Sequence, residues 1–245
     1  MNSSLIDYTL HLADNALIIA QRNAEWCGHG PILEQDIAIT NISLDQLGQS
    51  RNFYQYAAKL IGNNATEDSL AYLRTEREFK NCLLAEQPNG DWAQTVLRQF
   101  FFSAYQFLLY EKLQHSNYEQ LAAIAAKALK EVTYHQRWSS EWVIRLGDGT
   151  EESRQRMLNA IDELWRYTGE LFVAAGYEAV SGFDIALLKE DWMKKVNAVF
   201  EEATLPIPEK VFIQTGGKTG THTEHLGYIL TELQYLQRTY PNAEW

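Results

Sequence analysis

The sequence predicts an all-α protein, a bundle of four long helices with additional helices toward its C-terminal end. Three observations lead there. Apolar residues recur at three- and four-residue steps over most of the 245 residues, the spacing of one helix face. No segment sustains the two-residue alternation of a strand. The breaks between periodic segments fall at glycine, proline and asparagine clusters, the residues that stop helices. No repeat of 20 to 50 residues is present, and the expected organisation is a single helical domain spanning 1–245.

The first helix is read over residues 4–27, with Leu5, Tyr8, Leu12, Ala16, Ile19, Asn23 and Trp26 on one stripe. Asp7, His11, Asp14, Arg22 and Glu25 lie on the opposite stripe, which reads as a solvated face. Cys27-Gly28-His29-Gly30-Pro31 ends this helix. A second helix runs from Leu33 to about Ile61 and stops at Gly62-Asn63-Asn64; a shorter one covers 66–83. Gln87-Pro88-Asn89-Gly90 is a turn, and Asp91 is the N-cap of a third long helix reaching about Gln114. This helix carries Phe100-Phe101-Phe102 with Tyr105, Phe107 and Tyr110, apolar on more than one side, and so belongs at the centre. The fourth, from about Tyr118 to Leu146, has Leu121, Ile124, Ala128, Val132, His135, Trp138 and Trp142 on one stripe. Gly147-Asp148-Gly149 closes it. Thr150 starts a fifth helix, with Glu151 and Glu152 in its first turn, to about Phe172. A loop is expected at 175–183, a helix at 184–203, irregular chain at 209–220 and a last helix at 222–240.

Composition excludes several classes of function. The formal charge is −11, from 21 basic and 32 acidic residues, and no cluster of Lys or Arg reverses it, so nucleic acid is not an expected partner. No apolar run reaches the ~18 residues of a membrane span. The N-terminus lacks a basic segment and carries Asp7 and Asp14 where a secretory signal would be apolar. Cys27 and Cys82 are the only cysteines and have no CxxC spacing, the usage of a reduced cytoplasmic protein.

Thr219 to Arg238 reads TGTHTEHLGYILTELQYLQR. His222 and His225, three apart, are able to reach one ion, and Glu224 lies between them. The same stretch has the form of a helix start: Thr221-x-x-Glu224 is a capping box, followed by the stripe Leu226, Ile229, Leu230, Leu233 and Leu236. The cap is the favoured reading, with His222 buried and hydrogen-bonded near the start of the last helix. GGKTG at 216–220 lacks the spacing of a phosphate-binding loop.

Four long helices raise one specific chemistry, the carboxylate-bridged di-iron bundle, in which two helices each give a Glu and two others a Glu-x-x-His. Four stretches bear on it: AEWCGHGPILEQDIAITNISLDQLGQSRNFYQYAAKL, LLAEQPNGDW, KEVTYHQRWSSEWVIRLGDGTEES and GGKTGTHTEHLGYILTELQYLQR. They resemble the C-subunit family of the bacterial ring-1,2-phenylacetyl-CoA epoxidases, and the resemblance covers nearly the whole chain. It implies a ferritin-like bundle and a structural, non-catalytic role in a multicomponent oxygenase of phenylacetate catabolism. It implies no cofactor in this chain, the di-iron centre residing in a paralogous catalytic A subunit. That subunit is the implied partner, paired through the long first and second helices, with the other subunits of the complex, a reductase among them. A homodimer is left open.

Carried over position by position, the resemblance places Glu25 at the glutamate of the first helix and His135 at the histidine of the fourth. Val132 falls where that helix would offer a glutamate, and Ser103 where the third would offer a carboxylate. On the second helix the Glu-x-x-His register falls on Asp45 and Gly48 or on Leu47 and Ser50, neither with a histidine. Glu25, Asp45, Ser103, Val132 and His135 are thus expected to be remnants of a degenerate site. Periodicity sets Glu25 on the polar stripe of its helix, and His135 on an apolar one, where it could pair with Asp45. Asn41, Asp45, Gln49 and Asn52 are either an exposed strip or a buried hydrogen-bond network, with Arg51 placed to neutralise Asp45. The rival expectation is a divergent ferritin-like metalloenzyme with its own iron or zinc, held by His135 with Glu25 or by His222 with His225.

Overall fold

The computed structural model describes residues 3–209, 211–241 and 243. Among them every regular element is helical. The first two helices, α1 (Ser3–Ala24) and α2 (Leu33–Ile61), pack along their lengths. Asp14 near the middle of α1 meets Tyr54 late in α2, whereas Ala20 and Asn23 near the end of α1 meet Ser43 and Gln46 earlier in α2, so the pair is antiparallel. α3 (Glu67–Tyr72), a 3-10 turn at 76–78 and α4 (Leu83–Glu86) follow. The second long pair is α5 (Trp92–Leu113) and α6 (Glu119–Gly147), and α2 packs on α6 to join the two pairs. α7 (Glu151–Thr168) and α8 (Leu188–Glu202) lie against α5 and α6, while α9 (Glu224–Thr239) lies over α3 and α4.

α5 is the central helix that its aromatic run predicted. Phe100, Phe101 and Phe102 are all fully buried, because three adjacent side chains point 100° apart and α5 has neighbours on each of those sides. Phe101 meets Trp165, Trp192 and Phe200 at ring-centroid distances of 5.6 to 6.0 Å, the separation of favourable edge and tilted pairs. Asp91 caps α5 by accepting from the Gln94 N–H, and Thr150 caps α7 through a box closed by Ser153.

The chain departs from the expected helix over 66–83. α3 ends at Tyr72, and residues 79–82 run extended beside α1. The reason is capture of backbone by side chains: Asp14 accepts from the Lys80 N–H at 2.7 Å and Asn15 accepts from the Cys82 N–H at 2.8 Å. Amides held by α1 cannot also serve an i→i−4 ladder. α1 itself stops at Ala24, three residues before the expected end.

Of the Asp7, His11, Asp14 stripe only Asp7 keeps a solvated side chain, 41% exposed beside Lys80. His11 and Asp14 are wholly buried. His11 Nδ1 donates to the Lys80 carbonyl at 2.7 Å while Nε2 accepts from Asn15; burial first of all lowers its pKa, which suits this neutral tautomer. Asp14 is bonded by Arg74, Tyr54 and Lys80. With α2, α4 and the 3-10 turn at 176–181 packed on it, α1 leaves little surface for a partner. Of the two helices expected to dock, only α2 presents an open side.

Candidate functional site: the interior of the four-helix bundle

The interior where α1, α2, α5 and α6 meet carries amides. Asn23 of α1 donates through Nδ2 to Gln46 Oε1 on α2 at 2.9 Å and to Gln99 Oε1 on α5 at 2.7 Å. Gln46 Nε2 also donates to Gln99 Oε1, and Gln99 Nε2 donates to the Ser103 hydroxyl at 2.7 Å. All four side chains are buried. Next to them Arg98 is wholly buried, donating to the Gln87 carbonyl, Asn89 Oδ1 and Asn23 Oδ1. Burial first, then the charge of Arg22, push its pKa down to about 9. Neutral amides supply donors and acceptors in matched pairs, so they crosslink three helices without a cation to compensate.

The expected remnants are distributed around this network. Ser103 and Val132 are both fully buried, and Ser103 donates back to the Gln99 carbonyl. His135 is buried and its Nε2 donates to Asp45 Oδ2 at 3.0 Å, the pairing that the apolar stripe allowed. Asp45 itself is half-exposed at the α2–α6 edge. Arg51 does not neutralise it, but turns to Glu67 of α3 at 2.9 Å. Glu25 lies beyond the end of α1 and points outward, accepting from Arg22 Nη1 at 3.0 Å and from Asn89 Nδ2 at 2.8 Å. It does not approach His135 as the metalloenzyme reading requires. Of the polar run on α2, Asn41 is exposed while Gln49 is buried and donates to Glu131 Oε2 at 2.9 Å.

The inward register of α2 is therefore Gln46-x-x-Gln49, between the two that the Glu-x-x-His pattern suggested. A signal for it exists: Ile39, Ile42, Gln46, Gln49, Phe53 and Ala57 recur at three- and four-residue steps, and all six are buried. Gln46, Gln99 and Asn23 went unrecognised as site residues because amides do not belong to a carboxylate pattern. The residues present do not fit a di-iron centre. Amides, a hydroxyl and Val132 occupy the inward positions, and two irons need anionic donors to offset their charge. Among the described residues, no three His, Cys, Asp or Glu side chains converge as a metal site would require.

His222 sits elsewhere, between α4 and α9, and its side chain is fully buried. Nε2 donates to the Phe79 carbonyl at 3.0 Å and Nδ1 faces Glu86 Oε2 at 2.8 Å. Both nitrogens are occupied, so His222 cannot join His225 on an ion. The expected Thr221–Glu224 box does not form. Thr223 is the N-cap of α9, and its N–H and hydroxyl both donate to Glu86 Oε1 at 2.7 Å. A carboxylate from α4 thus does what the local box would have done. The neighbouring glycines serve packing. Gly216 and Gly217 donate their N–H groups to Glu170, and a Cβ on Gly217 would lie 2.4 Å from the Asn81 carbonyl oxygen.

Burial works against a charged His222, but the hydrogen bond and charge of Glu86 prevail and its pKa is raised. A base whose folded pKa is raised contributes stability that is fully present below its unfolded value of about 6.5 and lost as pH rises through the folded value. The stability difference between wild type and His222→Gln is therefore expected to shrink steadily as pH is raised from 6 to 9, measured by urea denaturation. A constant difference would show that His222 is held neutral.

A buried amide network that crosslinks three helices of a ferritin-like bundle defines the class of helical protein to which this interior belongs. The chain belongs to the family described as phenylacetic acid catabolic protein, which matches residues 1–245. It is 50% identical over 249 residues to the C subunit of 1,2-phenylacetyl-CoA epoxidase from Escherichia coli (strain K12), covering 99% of this chain and 100% of that protein. The family resemblance carried by the sequence motifs is thereby established.

Proposed function

We propose that this chain is a non-catalytic subunit of a multicomponent di-iron oxygenase that epoxidises the ring of phenylacetyl-CoA, and that it holds and supports the catalytic subunit. The observation that carries the reading is the bundle interior: Asn23, Gln46, Gln99 and Ser103 close on one another, and Val132 of α6 is buried. A full-length relative that is named as a subunit of such an epoxidase supports it. Metal, oxygen activation and the exchange of electrons with a reductase then belong to the partners. No described helix is long and apolar enough to cross a membrane, which suits a cytoplasmic complex.

The surface that suits docking is the outer side of α2. Leu33, Ile37 and Leu44 are 72%, 52% and 59% exposed, Leu47 extends the row, and Tyr134 of α6 flanks it. Residues 33, 37, 44 and 47 follow the spacing of one helix stripe. An apolar row of this length left in water is the mark of an interface. Co-expression with the catalytic subunit, size-exclusion chromatography and iron assay of each subunit test the reading. A stable heteromer is expected, with iron only in the partner, and Ile37→Asp with Leu44→Asp should abolish co-elution while helical content is retained. Two irons per chain, with oxygen-reactive spectra in the isolated protein, would sink it.

A further inference from the structure

Beside the apolar row, α2, α3 and α1 enclose an open cavity of about 410 Å³. Leu17, Leu47, Tyr54, Ala71 and Tyr72 give it largely apolar walls, and Ser50, Arg51, Glu67 and Asp68 its polar groups. Two features set it apart from an ordinary surface cleft. The Ser50 side chain is 2% exposed and its hydroxyl has no hydrogen-bond partner, although a buried hydroxyl normally finds one. At the mouth the acids outnumber the bases. Arg51 is satisfied by Glu67, whereas Asp68 is exposed and makes no ion pair among the described residues.

Resting on the docking reading above, we propose that this cavity receives a basic side chain of the catalytic partner, an arginine or lysine that anchors the two subunits. Such a side chain matches the site along its length. An aliphatic stem suits the leucine and tyrosine walls, and a cationic head suits the Asp68 and Glu67 carboxylates with the Ser50 hydroxyl as a further acceptor. Leu47 belongs both to the exposed row and to the cavity wall, so a partner lying on α2 reaches the cavity without a change of direction. The chain's charge of −11 favours a partner that brings positive groups to the contact. Anchors of this kind, seated in a pocket at the edge of an apolar row, carry a large share of interface energy.

Binding of the purified catalytic subunit should be measured for wild type, Asp68→Asn, Asp68→Lys, Ser50→Ala, Leu44→Asp and a remote control, Glu202→Lys, at low and moderate salt. Asp68→Lys is expected to weaken binding about tenfold or more and Asp68→Asn by a smaller factor, with a reduced salt dependence. Ser50→Ala should weaken it about two- to fivefold, and Glu202→Lys by less than twofold. Asp68 and Glu202 are exposed, so folding is not at stake in their variants. If the Asp68 and Ser50 variants bind as wild type while Leu44→Asp abolishes binding, the anchor is overturned and the docking face stands. Equal losses for Asp68→Lys and Glu202→Lys overturn the anchor in favour of general charge attraction. Full binding by every variant, Leu44→Asp included, overturns both.

Discussion

Replacing Asp14 by alanine is expected to lower the unfolding free energy by about 3–5 kcal/mol, the cost of breaking a buried ion pair and leaving one member unpaired. Asp14 is wholly buried. It accepts from Tyr54 Oη at 2.5 Å, from Arg74 Nη1 at 3.1 Å and from the Lys80 N–H at 2.7 Å, and Arg74 Nη2 closes on its other oxygen. These groups come from α2, from the segment after α3 and from the extended chain at 79–82, so one carboxylate ties three separate stretches to α1. Burial alone would lower the Arg74 pKa, yet Asp14 and Tyr54 reverse this and the guanidinium is held charged. In the alanine variant that charge keeps only Tyr54 Oη and the backbone carbonyls of Leu70 and Glu78 as partners. Equilibrium urea unfolding of Asp14→Ala, Arg74→Ala and the double variant measures the effect. The double variant should lose clearly less than the sum of the two singles. Additive losses of under about 1 kcal/mol each would show that the pair contributes little.

The second large effect is expected at Glu86. Glu86→Ala removes the acceptor of four hydrogen bonds: from Asn81 Nδ2, His222 Nδ1, the Thr223 N–H and the Thr223 hydroxyl, at 2.7 to 2.8 Å. We expect a loss of about 3 kcal/mol, since each buried donor left unsatisfied is costly and the imidazole loses the partner that keeps it protonated. The loss should be local before it is global. α9 is anchored at its start by Glu86 and along its length by Leu226, Ile229 and Leu230 and by Gln234, which donates to the Ala71 and Arg74 carbonyls. Amide hydrogen exchange in Glu86→Ala should therefore rise over 224–239 well before it rises in α5. Unchanged protection of α9 would mean that packing alone holds that helix.

The metal question shows where a sequence pattern reaches and where it stops. The absence of a glutamate at Val132 and of a carboxylate at Ser103 is legible from the chain alone, and so is the burial of His135 on its apolar stripe. The identity of what replaces the ligands was not legible. Gln46 lies between the two registers of α2 that a Glu-x-x-His template offers, and its partners Asn23 and Gln99 lie 23 and 53 residues away. Similarly, Thr221 and Glu224 satisfy every local requirement of a capping box, yet Glu86, 137 residues from Thr223, takes the helix start. Burial and hydrogen bonding of His222 were anticipated from its place before the leucine stripe, although the partner that achieves them was not.

What the sequence by itself determined is therefore the long helices, the centrality of α5 and the family. These depend on periodicity, turn residues and motif identity, which are local properties of the chain. What only the tertiary structure decided is which polar residues are inside. His11 and Asp14 share one stripe with the exposed Asp7, and periodicity cannot distinguish positions covered by water from positions covered by Arg74 and Glu178. The physical reason is that a polar group is as well satisfied by a buried partner as by solvent. Its hydrogen-bonding needs are written in the sequence, but the group that meets them is supplied by whichever distant segment folds against it.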